Sequence, residues 1–114
     1  MNFDLELRTR KFSKSIIGIL KTIKCNEINR PVVTQLIKSA TSVGANYCEA
    51  NAACSKKDFR NKIFICRKEI QETKYWIEMI AEIELDKKDK FRKLWSEAHE
   101  LTLIFSKISS SLKN

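Results

Sequence analysis

An all-α fold, an antiparallel up-down-up-down four-helix bundle, is predicted by three features of this sequence. Only two glycines and one proline interrupt its 114 residues, so little breaks a helix. Apolar residues recur at alternating steps of three and four over four separate stretches, the spacing of one helix face. The connections between those stretches are short and polar, which turns each helix back along its predecessor.

The first helix is predicted over 4–24, where Leu5, Thr9, Phe12, Ile16, Ile19 and Ile23 share a stripe. Residues 26–30 form a polar connection. Pro31 fits the first turn of the second helix, 31–53, because the N–H it lacks has no partner there. The core stripe of that helix is Val33, Leu36, Ala40, Val43, Tyr47 and Ala50. From Ser39 to Ser55 there is one charge, Glu49, in a chain that is 32% charged, so this helix is read as the central one, covered on most sides. Around its back, Ser42, Ala45, Asn46, Glu49 and Ala53 are short where a free surface carries long charged side chains. A neighbouring subunit is the economical cover for that face, with Asn46 and Glu49 fixing register between packed helices or subunits.

Ser55 and Asp58 form a capping box that opens the third helix, 55–84. Its seam is Phe59, Ile63, Cys66, Ile70, Thr73, Ile77 and Ile80, and a second, mixed seam holds Ile65, Glu69, Glu72, Trp76, Met79 and Ile83. A charged turn from Asp86 leads to the fourth helix, 88–111, striped by Phe91, Leu94, Ala98, Leu101, Phe105, Ile108 and Leu112. The whole chain, 1–114, reads as one domain long enough to bury a hydrophobic core.

Several function classes are excluded at this level. No apolar run approaches the roughly 18 residues of a membrane span, and the N-terminus carries acids and no apolar signal core, so a soluble cytoplasmic protein is expected. Cys25, Cys48, Cys54 and Cys66 accompany no export signal and are expected as free, buried thiols. There is no CxxC pair and one histidine, His99, which excludes a zinc ribbon. Glu69 and Glu72 lie one turn apart, but a di-metal bundle site needs two ExxH elements and residue 96 is serine. Structural ion pairs, within the bundle or across an interface, are the expected use of both, and His99 is expected as a partly buried structural residue. No phosphate-cradling glycine loop, nucleophile elbow or histidine-activated Ser or Cys is present. Neither enzyme activity nor a cofactor or metal is expected. Trp76, Trp95, Tyr47 and Tyr75 are read as core or interface anchors.

The net charge of +8 is unevenly placed: residues 1–68 hold 14 Lys/Arg against 5 Asp/Glu, and residues 69–114 hold 8 against 9. Lys56, Lys57, Arg60, Lys62, Arg67 and Lys68 crowd the first half of the third helix, where cations oppose the helix dipole. Phosphate binding gives such an arrangement a use; a solvated face is the alternative. Arg8, Arg10, Lys11 and Lys14 on the first helix are read as extending the patch. Lys87, Lys88, Lys90, Arg92 and Lys93 are interrupted by Asp86 and Asp89 and read as a solvated turn.

Three motifs carry a family resemblance. SxGANxxEA over Ser42 to Ala50, SKKDF over Ser55 to Phe59 and KExxETxYWI over Lys68 to Ile77 resemble the small bacterial four-helix-bundle proteins that include those encoded within intervening sequences of large-subunit ribosomal RNA genes. The match is detailed from Gln35 to Ile80 and follows pattern alone in the flanking helices. The resemblance implies a ring, typically a pentamer, with no assigned catalytic activity and nucleic-acid binding as its usual suggested role. It also implies kinship with a basic accessory partner of a reverse transcriptase in diversity-generating retroelements. Cys48, Cys54 and Cys66 depart from the small or apolar residues more usual in the family, which leaves an oxidation sensitivity open.

The expected function is therefore a non-enzymatic homo-oligomer that binds nucleic acid, RNA foremost, through phosphates with little sequence reading. Its contacts would come from the cations named above, and its oligomer interface from Ser42, Ala45, Asn46, Glu49, Ala53, Glu69, Glu72 and Trp76. The alternative is a scaffold that binds another protein, such as a reverse transcriptase or ribonucleoprotein, with charge steering the encounter.

Overall fold

Four helices form where the four apolar stripes run. A computed structural model describes residues 3–112, with α1 at Phe3–Leu20, α2 at Asn29–Asn51, α3 at Lys56–Ile83 and α4 at Lys88–Ser111. A 3-10 turn, Leu85–Lys87, leads into α4. Helix α1 packs on α2, α2 on α3, α3 on α4 and α4 on α1, while no Cα pair within 8 Å joins α1 to α3 or α2 to α4. Two diagonal pairs thus face each other across one core. Tyr47 and Phe105 meet there edge to face, with centroids 5.8 Å apart, and Phe12, Ile16, Leu36, Ile70, Ile77 and Leu101 belong to the same buried core.

The stripes are buried because they are apolar, and the few polar groups among them satisfy themselves locally. Thr9 donates to the Glu6 carbonyl and Thr102 to the Ala98 carbonyl. Thr73 Oγ1 bridges the Glu69 carbonyl at 2.7 Å and Ser39 Oγ at 3.0 Å, tying α3 to α2. A buried hydroxyl without such a partner costs about 1–3 kcal/mol.

The helix ends differ from the sequence reading for identifiable reasons. The first helix stops at Leu20, not residue 24: Thr22 and Ile23 donate to the Ile19 and Leu20 carbonyls, three residues back, which tightens the chain out of the α-helix. The second helix begins before Pro31 because Asn26 and Asn29 form a reciprocal cap. Asn29 N–H donates to Asn26 Oδ1, and Asn26 N–H donates to Asn29 Oδ1, both at 2.8 Å. Asn29 Nδ2 donates in addition to the Lys24 carbonyl and to Glu84 Oε2. That fully buried asparagine therefore locks the α1–α2 connection onto the end of α3. At the start of α3, Ser55 is extended and its Oγ accepts from the Asp58 N–H at 3.0 Å.

The cysteines correct an expectation. Cys66 alone is buried; Cys48 is half-buried, and Cys25 and Cys54 are exposed. Cys54 lies beyond the end of α2, so its small neighbours mark a turn and not a packed face. Among the described residues, no helix is long and apolar enough to cross a membrane.

Candidate nucleic-acid interface

Positive charge is distributed around the bundle by helix geometry, and its partners decide what remains available. On α3, Lys62 turns toward α2 and places Nζ 2.7 Å from Glu49 Oε1. That hydrogen bond, with the carboxylate charge, raises the Lys62 pKa above its ordinary value. Arg67 turns toward α4 and reaches Ser109 Oγ at 3.5 Å. Arg60 is half-buried, and its Nε is enclosed without a hydrogen-bond partner. Lys56, Lys57 and Lys68 stay exposed. Six cations contiguous in sequence thus point toward two different neighbours and solvent, because a helix turns about 100° per residue.

Helices α1 and α3 are diagonal, so their cations approach one another over α2, where Arg10 reaches Cys48 and Lys62 reaches Glu49. Arg8 is held by α4: its Nε lies 2.7 Å from Glu97 Oε2, and Nη2 reaches both Glu97 and Glu100. Those hydrogen bonds, Glu97 first, raise the guanidinium pKa. Arg10, Lys11 and Lys14 remain exposed, with a long Arg10 contact to Cys48 Sγ at 3.5 Å. Arg10 and Lys14 border a shallow cleft of about 230 Å³ over Gly44 and Ala45. Lys21 is exposed just past the end of α1, and neither it nor Gly18 was singled out by the sequence reading. A signal was present: after Glu6, α1 holds no acid, and the next acid in the chain is Glu27.

The short residues of α2 divide between two explanations. Gly44 stands against α1, where a Cβ would touch Thr9 at 3.6 Å. Ser42 Oγ donates to the Lys38 carbonyl and Asn46 Nδ2 to the Ser42 carbonyl, so both are satisfied within α2. Ala45 is exposed, Ala53 half-buried, and Glu49 is exposed and engaged by Lys62. Trp76 and Glu69 are half-buried beside them on α3, and Glu72 is exposed. Among the described residues neither Glu69 nor Glu72 makes an ion pair within the chain. Burial, then the nearby Glu72 charge, raises the Glu69 pKa.

Helix α4 supplies a polar aromatic cluster facing α3. His99 stacks on Trp95 at 5.2 Å, and Lys74 Nζ lies 3.0 Å from His99 Nδ1 and 4.8 Å from the Trp95 ring centroid. An ammonium only donates, so Nδ1 accepts and Nε2 carries the ring proton. Trp95 Nε1 donates to Glu78 at 2.9 Å. Lys74 Nζ, His99 Nδ1 and Trp95 Nε1 are thus each matched to a structural partner. Among the described residues, no group of three or more His, Cys, Asp or Glu is placed to hold a metal ion.

The fold has counterparts. The family model for the 23S rRNA-intervening sequence protein matches residues 2–107. The chain belongs to that family. A similar solved structure is that of a protein with unknown function from the S23 ribosomal protein family of Bacteroides thetaiotaomicron. It is 28% identical with a TM-score of 0.79, and the alignment covers 91% of this chain and 96% of that one. No curated protein matches the chain. Neither the family match nor the solved structure assigns chemistry to any residue of this chain.

Proposed function

We propose that this protein is a non-enzymatic helical bundle that binds nucleic acid, with RNA the preferred class, through phosphate contacts made by its exposed cations. The observation that carries the reading is the unneutralised positive charge that remains after every described ion pair is counted. Arg10, Lys11, Lys14 and Lys21 on the α1 side and Lys56, Lys57 and Lys68 on α3 are exposed with no described carboxylate partner. Such charge binds polyanions by counterion release and reads little sequence.

The reading includes an up-down-up-down order. It is supported by partners whose numbers fall on one helix as they rise on the next: Glu6 with Asn51 and Ser13 with Ala40, Ser39 with Thr73 and Glu49 with Lys62, Lys74 with His99 and Arg67 with Ser109. It also includes a homo-oligomeric ring, a pentamer by family resemblance, assembled through the outer side of α2 and α3 around Ser42, Ala45, Glu72 and Trp76.

A second reading, a scaffold for a protein partner, is favoured by exposed apolar side chains on α3 and α4: Phe64, Tyr75 and Leu103 are each about half exposed. Labelled structured RNA and duplex DNA, titrated with heparin as competitor, separate the two. Nucleic-acid binding that resists heparin supports the first reading. Absence of nucleic-acid binding removes it and leaves the second.

A further inference from the structure

Gly18 lies in the last turn of α1, two residues before its end at Leu20, and nothing inside the protein packs against it. Glycine weakens a helix interior relative to alanine. Neither glycine of the chain has a positive φ, so the backbone conformation does not call for it. A Cβ built at Gly18 meets no atom within 4 Å, whereas one at Gly44 touches Thr9. Packing therefore explains Gly44 and does not explain Gly18, where the backbone lies bare and open to something outside the chain.

The surroundings say what that is. Lys11, Lys14, Gly18 and Lys21 follow steps of three, four and three, so they stand on one outward stripe, and all four are exposed. The carboxylates of α4 nearest this side, Glu97 and Glu100, are held by Arg8. The stripe is thus cationic, with bare, open backbone at Gly18 between Lys14 and Lys21. A second copy of this chain placed symmetrically on it would set lysines against lysines. An acidic helix would stand off at about 8–10 Å between axes, held by its own side chains, and would leave Gly18 unused. A phosphodiester strand carries its charge in its backbone and can lie directly on the glycine.

Resting on the nucleic-acid reading above, we propose that the outer face of α1 seats the sugar–phosphate backbone of RNA, with Gly18 at the point of closest approach. Lys14 and Lys21 grip the strand from either side, and Lys11 extends the seat. The lysines at 14 and 21 are separated by about 10 Å along the helix axis. At about 3.4 Å of axis per nucleotide of one strand, the seat spans roughly three phosphates.

The test compares wild type, Gly18→Leu and Gly18→Ala for binding of a labelled structured RNA over a salt series, with helicity by circular dichroism and mass by light scattering. Because the space over Gly18 is empty, Gly18→Leu keeps the fold and the mass. It weakens RNA binding by about tenfold or more at fixed salt while leaving the salt slope unchanged, since no charge is removed. Gly18→Ala melts at a higher temperature than wild type and binds less weakly than Gly18→Leu. Wild-type affinity in Gly18→Leu, with wild type itself binding RNA, overturns the seat and leaves the nucleic-acid reading standing. A changed mass in Gly18→Leu overturns it in favour of a subunit contact. No RNA binding by wild type removes the nucleic-acid reading and the seat together.

Discussion

Lys62 Nζ and Glu49 Oε1 lie 2.7 Å apart, joining α3 to α2 within one chain. The sequence reading places Lys62 on a phosphate-binding face and Glu49 between packed helices or subunits. Within the chain each has a partner in the other. The consequence is a ranking among cations: Lys62→Ala leaves the salt dependence of RNA binding near the wild-type value, whereas Lys14→Ala lowers the slope by about 1. Fluorescence anisotropy over a salt series measures both, and an equal fall in the two variants contradicts the ranking.

Assembly is tested at Ala45, an exposed short residue on the outer side of α2. Ala45→Arg adds a long charged side chain in open space, so the helices keep their far-ultraviolet circular dichroism. Light scattering then reports a monomer mass in place of the wild-type oligomer. An unchanged oligomeric mass moves the interface elsewhere.

Asn29→Ala removes the reciprocal cap with Asn26 and the bonds to Lys24 and Glu84. The expected loss is about 2 kcal/mol, one cap plus the desolvated groups left behind. Urea unfolding with an unchanged m-value measures it. A loss under about 0.5 kcal/mol, the scale of an ordinary surface substitution, shows that the cap does not hold the connection.

Burial pushes the Cys66 thiol up to about 12, and its Sγ lies 3.5 Å from the Val43 carbonyl. Only the thiolate attacks a disulfide reagent, so at mildly alkaline pH Cys25 and Cys54 react first and Cys66 reacts on unfolding. The same shift links to stability. An unfolded thiol at its ordinary value of 9.0 releases its proton first, so stability is full below about 9 and falls as pH rises from there toward 12. Cys66→Ala abolishes that part of the alkaline loss. Rapid labelling of Cys66 in the native protein contradicts the burial.

The four apolar stripes were legible because burial follows the 3.6-residue period, and Tyr47, Phe91, Leu101 and Phe105 are accordingly enclosed. What escaped the sequence depends on contacts between distant positions. Asn29 reads as part of a polar connection until Glu84, 55 residues away, is seen beside it. Arg8 reads as a free cation until Glu97, 89 residues away, accepts from it. Charge counts therefore gave the excess but not its address. Gly18 carries a signal only when the space over it is known to be empty.

The central claim, that exposed cations make this protein a phosphate-binding surface, is tested most directly by the salt dependence of wild-type binding to one structured RNA. Four contacting cations on the α1 side predict that log K falls with log salt at a slope of about −3 or steeper. Binding absent even at low salt, or a slope near zero, contradicts it.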